Sequence, residues 1–290
     1  MEVIVNTAAI ERNIAKAQKL VNVPISLMFK DFYEDISRHI NIPQKINVFG
    51  LHLTDSVCYS INKADNRNEG ALVVSFEDYI RCYQLGIRKF YIPINAGDRR
   101  EGLSTSDADQ LACNINDDCE IHGLITSGCI NDKAPSIKEL CSIHDGIKHI
   151  PSISLGGSYY LSKGFLPDFV SDIRIGEYML FGTIPYDNCD YRLGENAIRL
   201  KAKVIESFAD DRFLVDCGYS MADMDKCKPI GVSDFCLHIA SSSEYSVYDQ
   251  HLDSPFKVGE EIDFDINYKS LVKLRNADVR YIRSNVRNRI

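Results

Sequence analysis

Ile25-Ser26-Leu27-Met28-Phe29-Lys30-Asp31-Phe32-Tyr33 is a short apolar run that delivers one lysine at its carboxyl end. Its length and apolar content predict a buried strand over residues 24–30. The lysine then has two readings. An ammonium at the end of a buried strand is costly to keep charged, so its pKa falls and the amine becomes available as a nucleophile toward a carbonyl. Alternatively, the long side chain leaves the strand for solvent, as strand-end lysines usually do. Partners elsewhere in the chain decide between the two.

Working outward, Val3-Ile4-Val5 reads as a strand, and Asn6-Thr7 as the cap of a helix carrying Ile10, Ile14 and Leu20. A helix over 33–40 and a strand over 46–53 follow the lysine, and 62–69 is a polar connection. Strands over 71–74, 90–94, 120–126, 147–155 and 172–175 then alternate with helices over 76–85, 106–114 and 136–144. Such alternation predicts a parallel sheet, and a strand count near eight favours a closed TIM-like (β/α)8 barrel over an open sheet. Polar residues at strand carboxyl ends converge at one mouth of a barrel. Here those ends carry Lys30, Asp55, Arg100, Ser127, Ser158 and Arg174, and the three cations make a lining for an anionic ligand. After about Asp190 helical periodicity fades. Short β-type runs at 198–205, 212–215, 232–238, 246–248 and 261–267 are separated by polar turns. The expected division is an α/β barrel over residues 1–190 and an all-β C-terminal domain over 191–290.

Lysine and arginine number 33 against 41 aspartates and glutamates, a net charge of −8 that argues against a nucleic-acid partner. The 10 cysteines are scattered without a Cys-x-x-Cys pair or zinc spacing, so no metal site is expected and the thiols read as reduced. No run approaches the roughly 20 apolar residues of a membrane helix, and the amino terminus lacks signal-peptide character. These features point to a cytoplasmic protein without a membrane partner.

Ser154-Leu155-Gly156-Gly157-Ser158 ends a strand with two glycines and a hydroxyl. It reads either as a tight turn or as a place where backbone amides and Ser158 approach a phosphate. Arg174 lies in an apolar setting and must find an acceptor, a ligand group or a buried carboxylate; Gly176 offers a second close approach beside it. Gly97-Asp98-Arg99-Arg100-Glu101-Gly102 is a charge run directly after a strand, either a solvated loop or part of the mouth. Tyr219, in Cys217-Gly218-Tyr219, and Tyr268, after Asn267, each read alone as packing residues of a β-domain.

Taken together and in this order, the segments resemble the alanine racemase superfamily, fold-type III pyridoxal phosphate enzymes, and most closely its ornithine racemase branch. Residues 27–30 resemble the strand ending in the Schiff-base lysine. The 97–102 run is similar to the branch's Gly-Asp-x-Arg-Glu-Gly signature, with Arg100 in the place of the arginine near the substrate carboxylate. Residues 154–158 resemble the phosphate-binding turn. Asp172-Ile173-Arg174-Ile175-Gly176-Glu177 is similar to the segment whose arginine faces the pyridine nitrogen. Ala240-Ser241-Ser242-Ser243-Glu244 resembles the branch's Ala-Ser-Ser-Asp motif, and Asn267-Tyr268 the segment whose tyrosine reaches the phosphate. Gly218-Tyr219 resembles the Gly-Tyr of alanine racemases, where the ornithine branch differs. Two further departures stand out: Ser127 takes a place often held by histidine or asparagine, and Asp31-Phe32-Tyr33 replaces Ala-Asn-Ala-Tyr-Gly.

The resemblance implies pyridoxal 5′-phosphate as cofactor and α-proton exchange on a small-molecule amino acid by two bases, Lys30 and Tyr219 of the partner subunit. It further implies Lys30, Gly157, Ser158, Arg174, Gly176 and Tyr268 as cofactor-binding residues, Arg100 and Ser243 as substrate-binding residues, and a homodimer with shared sites. The substrate stays open between a basic amino acid such as ornithine, which Glu244 and Asp223 would suit, and alanine. The alternatives are a fold-type III decarboxylase, and a cofactor carrier, regulator or degenerate partner-binding member without turnover.

Overall fold

The structure, a computed structural model, describes residues 1–28, 34–42, 48–50, 57–58, 69–96, 102–126, 134–186, 189–230, 236–249, 256–274 and 277–284. β1 (Glu2–Asn6) leads into α1 (Thr7–Leu20), and β2 (Ile25–Met28) precedes α2 (Glu34–Ser37). β3 (Val48–Gly50), β4 (Val57–Cys58), β5 (Gly70–Leu72), α3 (Phe76–Gln84), β6 (Lys89–Pro93), α4 (Thr105–Cys113) and β7 (Glu120–Ile125) follow. α5 (Ile137–Asp145), β8 (Ile153–Gly156), a 3-10 helix at Ser158–Lys163, β9 (Val170–Ile175) and α6 (Glu177–Phe181) come next, then the hairpin β10 (Thr183–Tyr186) and β11 (Cys189–Arg192).

Local chemistry sets where the helices begin. α3, α4 and α5 each start after a serine, Ser75, Ser104 and Ser136, whose hydroxyl accepts from the amide three residues on. At α5 Glu139 bonds back to the Ser136 amide at 2.7 Å, completing a capping box.

β2 to β9 pair in sequence order, all parallel, and β9 pairs with β2, so the barrel closes. The expected TIM-like barrel is therefore present. Its eighth strand is not the expected one. Val3–Val5 pair elsewhere, and the place is taken by the two-residue β4, too short to show any periodicity. The strand expected over 147–155 shortens to β8. Asp109 takes the Lys148 and His149 amides at 2.7 Å each, and Pro151 has no amide to give a ladder. Inside the barrel, Tyr91 and Leu124 pack with Met28 and Leu72. Alternate residues such as Leu27, Phe90, Ile92, Ile173 and Ile175 are equally buried, because a parallel barrel is covered on its outer side.

The chain divides into two compact units, Glu11–Gly194 and Met1–Ile10 with Glu195–Ile290. The second groups the first ten residues with Glu195–Ile290. The reason is hydrogen bonding. β1 lies antiparallel to β12 (Ile198–Ser207) and parallel to β18 (Asp278–Ile282). β13 (Arg212–Val215), β14 (Lys228–Pro229), β15 (Leu237–Ser241), β16 (Ser246–Asp249) and β17 (Glu261–Asp265) complete an antiparallel array in the order β14-β17-β12-β13-β16-β15. Along β12 every second residue, Ile198, Leu200, Ala202 and Val204, is buried. The run expected over 232–238 yields β15 from Leu237 onward; residues 231–235 lie outside the described ones. Tyr268 does not end a strand. Asn267 caps α7 (Tyr268–Lys273), its side chain accepting from the Ser270 amide at 2.8 Å. No helix among the described residues is long and apolar enough to cross a membrane.

Candidate active site

β9 lies between β8 and β2, so three strand ends gather several of the expected residues. Gly156 is opposite Arg174, and Arg174 opposite Ser26. Arg174 is only 2% exposed. Its Nη1 donates to Ser154 Oγ at 2.7 Å and its Nη2 to the Ile125 carbonyl oxygen at 3.0 Å. The guanidinium lies so close to β8 that a Cβ on Gly156 would sit 2.7 Å from Nη2, so only glycine fits there without displacing it.

The turn after β8 is tied to the turn after β9. Gly157, at φ 105°, donates its amide to the Arg174 carbonyl at 2.9 Å. Ser158 is buried, and its Oγ accepts from the Tyr178 amide at 3.0 Å. Acting there as an acceptor, the hydroxyl keeps its own proton for donation. Gly176 precedes α6, and a Cβ on it would lie 3.3 Å from the Met28 carbonyl oxygen. This turn therefore abuts the last residue of β2, two positions before Lys30. Beside it, burial pushes the Tyr178 phenol up to about 12, and its hydroxyl has no hydrogen-bond partner among the described residues.

Lys30, Asp55, Arg100 and Ser127 lie outside the described residues. The flanks of the Arg100 segment are described and fixed. The Asn95 amide donates to the Leu103 carbonyl and the Leu103 amide to the Pro93 carbonyl, each at 2.8 Å. Gly102, at φ 149°, would bring a Cβ within 2.9 Å of the Asn95 nitrogen.

In the other unit the structure brings Tyr219 and Ser243 together. The Tyr219 amide donates to the Ser242 carbonyl at 2.9 Å and the Ser220 amide to the Ser243 carbonyl at 3.2 Å, which places the two motifs on paired turns. A Cβ on Gly218 would come within 2.5 Å of the Ser243 carbonyl carbon and the Glu244 nitrogen, so the Gly in Gly-Tyr is fixed by close backbone approach. The Tyr219 ring is 59% exposed, and Ser243 and Glu244 are exposed too. Tyr268 is half-buried at the first position of α7.

Two features escaped the sequence reading. Ser154 was part of the quoted turn but had no role; its signal is the two-residue spacing to Gly156, which puts both on the face that meets Arg174. At the amino-terminal end of the strands, His122 bridges Glu120 Oε1 at 2.6 Å and Ser152 Oγ at 2.7 Å, stacked on Tyr91 with ring centres 5.0 Å apart. Burial holds His122 below its ordinary value although Glu120 pulls the other way.

No protein-family model matches the chain. It is similar to ornithine racemase of Acetoanaerobium sticklandii, 25% identical over 229 residues; the match spans 64% of this chain and 64% of that protein, less than two thirds of its length. Among solved structures, alanine racemase of Acinetobacter baumannii is similar with a TM-score of 0.70 and 14% identity, over 96% of this chain and 98% of that one. Alanine racemase of Clostridium difficile 630, solved with cycloserine, gives 0.70 and 15% over 98% and 96%. D-threonine aldolase of Filomicrobium marinum gives 0.69 and 15% over 94% and 88%. Barrel and antiparallel unit together thus have the fold shared by the alanine racemases, as the resemblance in the sequence implied.

Proposed function

We propose that this chain is a pyridoxal 5′-phosphate-dependent amino-acid racemase. The observation that carries the reading is the buried Arg174 guanidinium, held by a hydroxyl and a carbonyl at a strand end whose following turn is tied to Ser158. The described residues fit the cofactor. Two glycine-containing turns without side chains at the close approaches, and a buried serine with a proton to donate, suit a phosphate. Once bound, the cofactor supplies an electron-accepting ring that stabilises negative charge at the substrate α-carbon.

The chain's own residues do the rest. Ser158, Gly176 and Tyr268 hold the phosphate, with Gly157 allowing close approach. Arg174 would face the ring nitrogen, and because a guanidinium does not give up its proton, it would leave that nitrogen unprotonated. Arg100 binds the substrate carboxylate and Ser243 lines the substrate side. Lys30 Nζ anchors the cofactor and, as a free amine, moves the α-proton on one face; Tyr219 of the partner subunit serves the other. The exposed Tyr219 ring, with Leu237 and Ile239 57% and 51% exposed on β15 at the end of the strand array, supports the homodimer. A monomer fully active at high dilution would refute it.

A panel of amino acids including ornithine, alanine and D-threonine, incubated with protein and cofactor and resolved by chiral chromatography, tests the reading. Racemisation of one of them is expected; absence of α-proton exchange with all of them argues for a carrier. The likeness to D-threonine aldolase favours one other reading, carbon–carbon cleavage, which would release glycine and acetaldehyde from D-threonine. Release of an amine with carbon dioxide would mark a decarboxylase. Lys30→Ala is expected to lose the borohydride-reducible chromophore, and its retention would overturn the role of Lys30. Tyr219→Phe should slow solvent-deuterium incorporation from one enantiomer more than from the other; unchanged rates from both exclude a two-base role.

A further inference from the structure

The barrel interior is polar along one arc. On the consecutive strands β7, β8, β9 and β2, the buried polar residues are His122, Ser154, Asp172, Arg174 and Ser26. In this arc, Ser26 Oγ and Asp172 Oδ2 are sealed from solvent and take no hydrogen bond from any described residue. The other Asp172 oxygen accepts from Ser171 Oγ at 2.9 Å. A carboxylate oxygen and a hydroxyl left buried and unsatisfied are both costly, so native interiors supply them with a partner or with water.

Strand register says how far apart they are. Ser26 is opposite Arg174, and Asp172 lies two residues earlier on the same side of β9. The rise along a parallel strand and the spacing between strands put their Cα atoms about 8 Å apart. Two side chains this short do not meet over that distance, but one small molecule between them reaches both.

We propose that Ser26 and Asp172 form a buried hydration site in the barrel, occupied by an ordered water that bridges Ser26 Oγ and Asp172 Oδ2. The surrounding charges favour a neutral occupant over a cation. Among the described residues of the same interior, Lys89 pairs with Glu120 at 3.2 Å and Arg174 shares its strand face with Asp172, so the acidic and basic side chains there come in pairs. The inference does not rest on the proposed reaction.

The test uses the full chain without added ligand. A high-resolution crystal structure should show one isolated density peak within hydrogen-bond distance of both oxygens, with no anomalous signal after a rubidium soak. A direct Ser26–Asp172 bond, another side chain in that place, or a rubidium signal would overturn the proposal. Independently, oxygen-17 relaxation dispersion should count one fewer long-lived water in Ser26→Ala than in wild type, with far-UV circular dichroism unchanged. Equal counts would overturn it. Should Ser26→Ala fail to fold, the wild-type density alone decides.

Discussion

Deleting the Ser154 hydroxyl tests how Arg174 is held. Ser154 is fully buried, and its Oγ is 2.7 Å from Nη1 of a guanidinium that is itself almost sealed from water. Ser154→Ala removes that acceptor and leaves behind the volume of one oxygen atom. The gap is too small to admit a water in its place. A hydrogen bond to a charged group contributes about 1.5–3 kcal/mol, and a buried donor left without its acceptor keeps the full penalty. The substitution should therefore destabilise the chain by about 1.5–3 kcal/mol, roughly one to two powers of ten in the folded-to-unfolded ratio. Urea unfolding read by tyrosine fluorescence measures this cleanly, since the chain has 15 tyrosines and no tryptophan. Ser162→Ala is the control: its hydroxyl bonds the Tyr159 carbonyl on the surface, and its loss should stay within about 0.5 kcal/mol. In an Arg174→Met background the cost of Ser154→Ala should nearly vanish, because the donor is gone. A loss below about 0.5 kcal/mol for Ser154→Ala, or an undiminished loss beside Arg174→Met, would refute the reasoning.

Gly156→Ala should act on the same guanidinium from the other side: its Cβ would lie 2.7 Å from Nη2 and 3.1 Å from Thr126 Cα, and overpacking of this kind costs about 1–3 kcal/mol in the same urea titration. Gly218→Ala should pry the Tyr219 turn from the Ser242–Glu244 turn, so hydrogen exchange at the Tyr219 and Ser220 amides should quicken while amides of the barrel stay protected; unchanged exchange would contradict the packing. Acid should weaken the barrel in two windows. His122 is held below its ordinary value of about 6.5 by burial, so its contribution is complete above that pH and fades as the unfolded chain takes up the proton first. Glu120, pushed up by burial but drawn further down by His122 and Lys89, contributes above its ordinary value of 4.5 and loses this as pH falls through its depressed value. Unfolding midpoints of wild type and His122→Asn between pH 8 and 5 check the first window, which the variant should lack.

The barrel was legible because its helices carry strong local signals. Ser75, Ser104 and Ser136 each precede an acid by three residues, and the apolar runs between the helices are those of buried strands. The identity of the eighth strand was not legible. β4 has two residues, whereas Val3-Ile4-Val5 has the apolar content of a barrel strand and differs only in which neighbour it pairs with, a long-range choice that no local pattern records. For the same reason Asn267-Tyr268 looked like a strand end, although asparagine as a helix cap was readable from its side-chain chemistry. At the site, the glycines at 156, 157 and 176 and the arginine at 174 were visible as residue types. What they touch was not. That the Ser154 hydroxyl accepts from the guanidinium depends on the register of β8 against β9.

That choice of acceptor separates two kinds of behaviour within one barrel. Two of the groups that bond Arg174, a serine hydroxyl and a backbone carbonyl, do not titrate. His122 and Glu120, which do titrate, sit toward the amino-terminal end of β7, where Lys89 of β6 pairs with Glu120. Acid should thus loosen the floor of the barrel before it disturbs the bond between Ser154 and Arg174. If Ser154→Ala and His122→Asn act on these separate networks, their costs should add at pH 8, and Ser154→Ala should cost the same at pH 8 and pH 6. A Ser154→Ala cost that shrinks on acidification would mean that Arg174 leans on an ionisable partner.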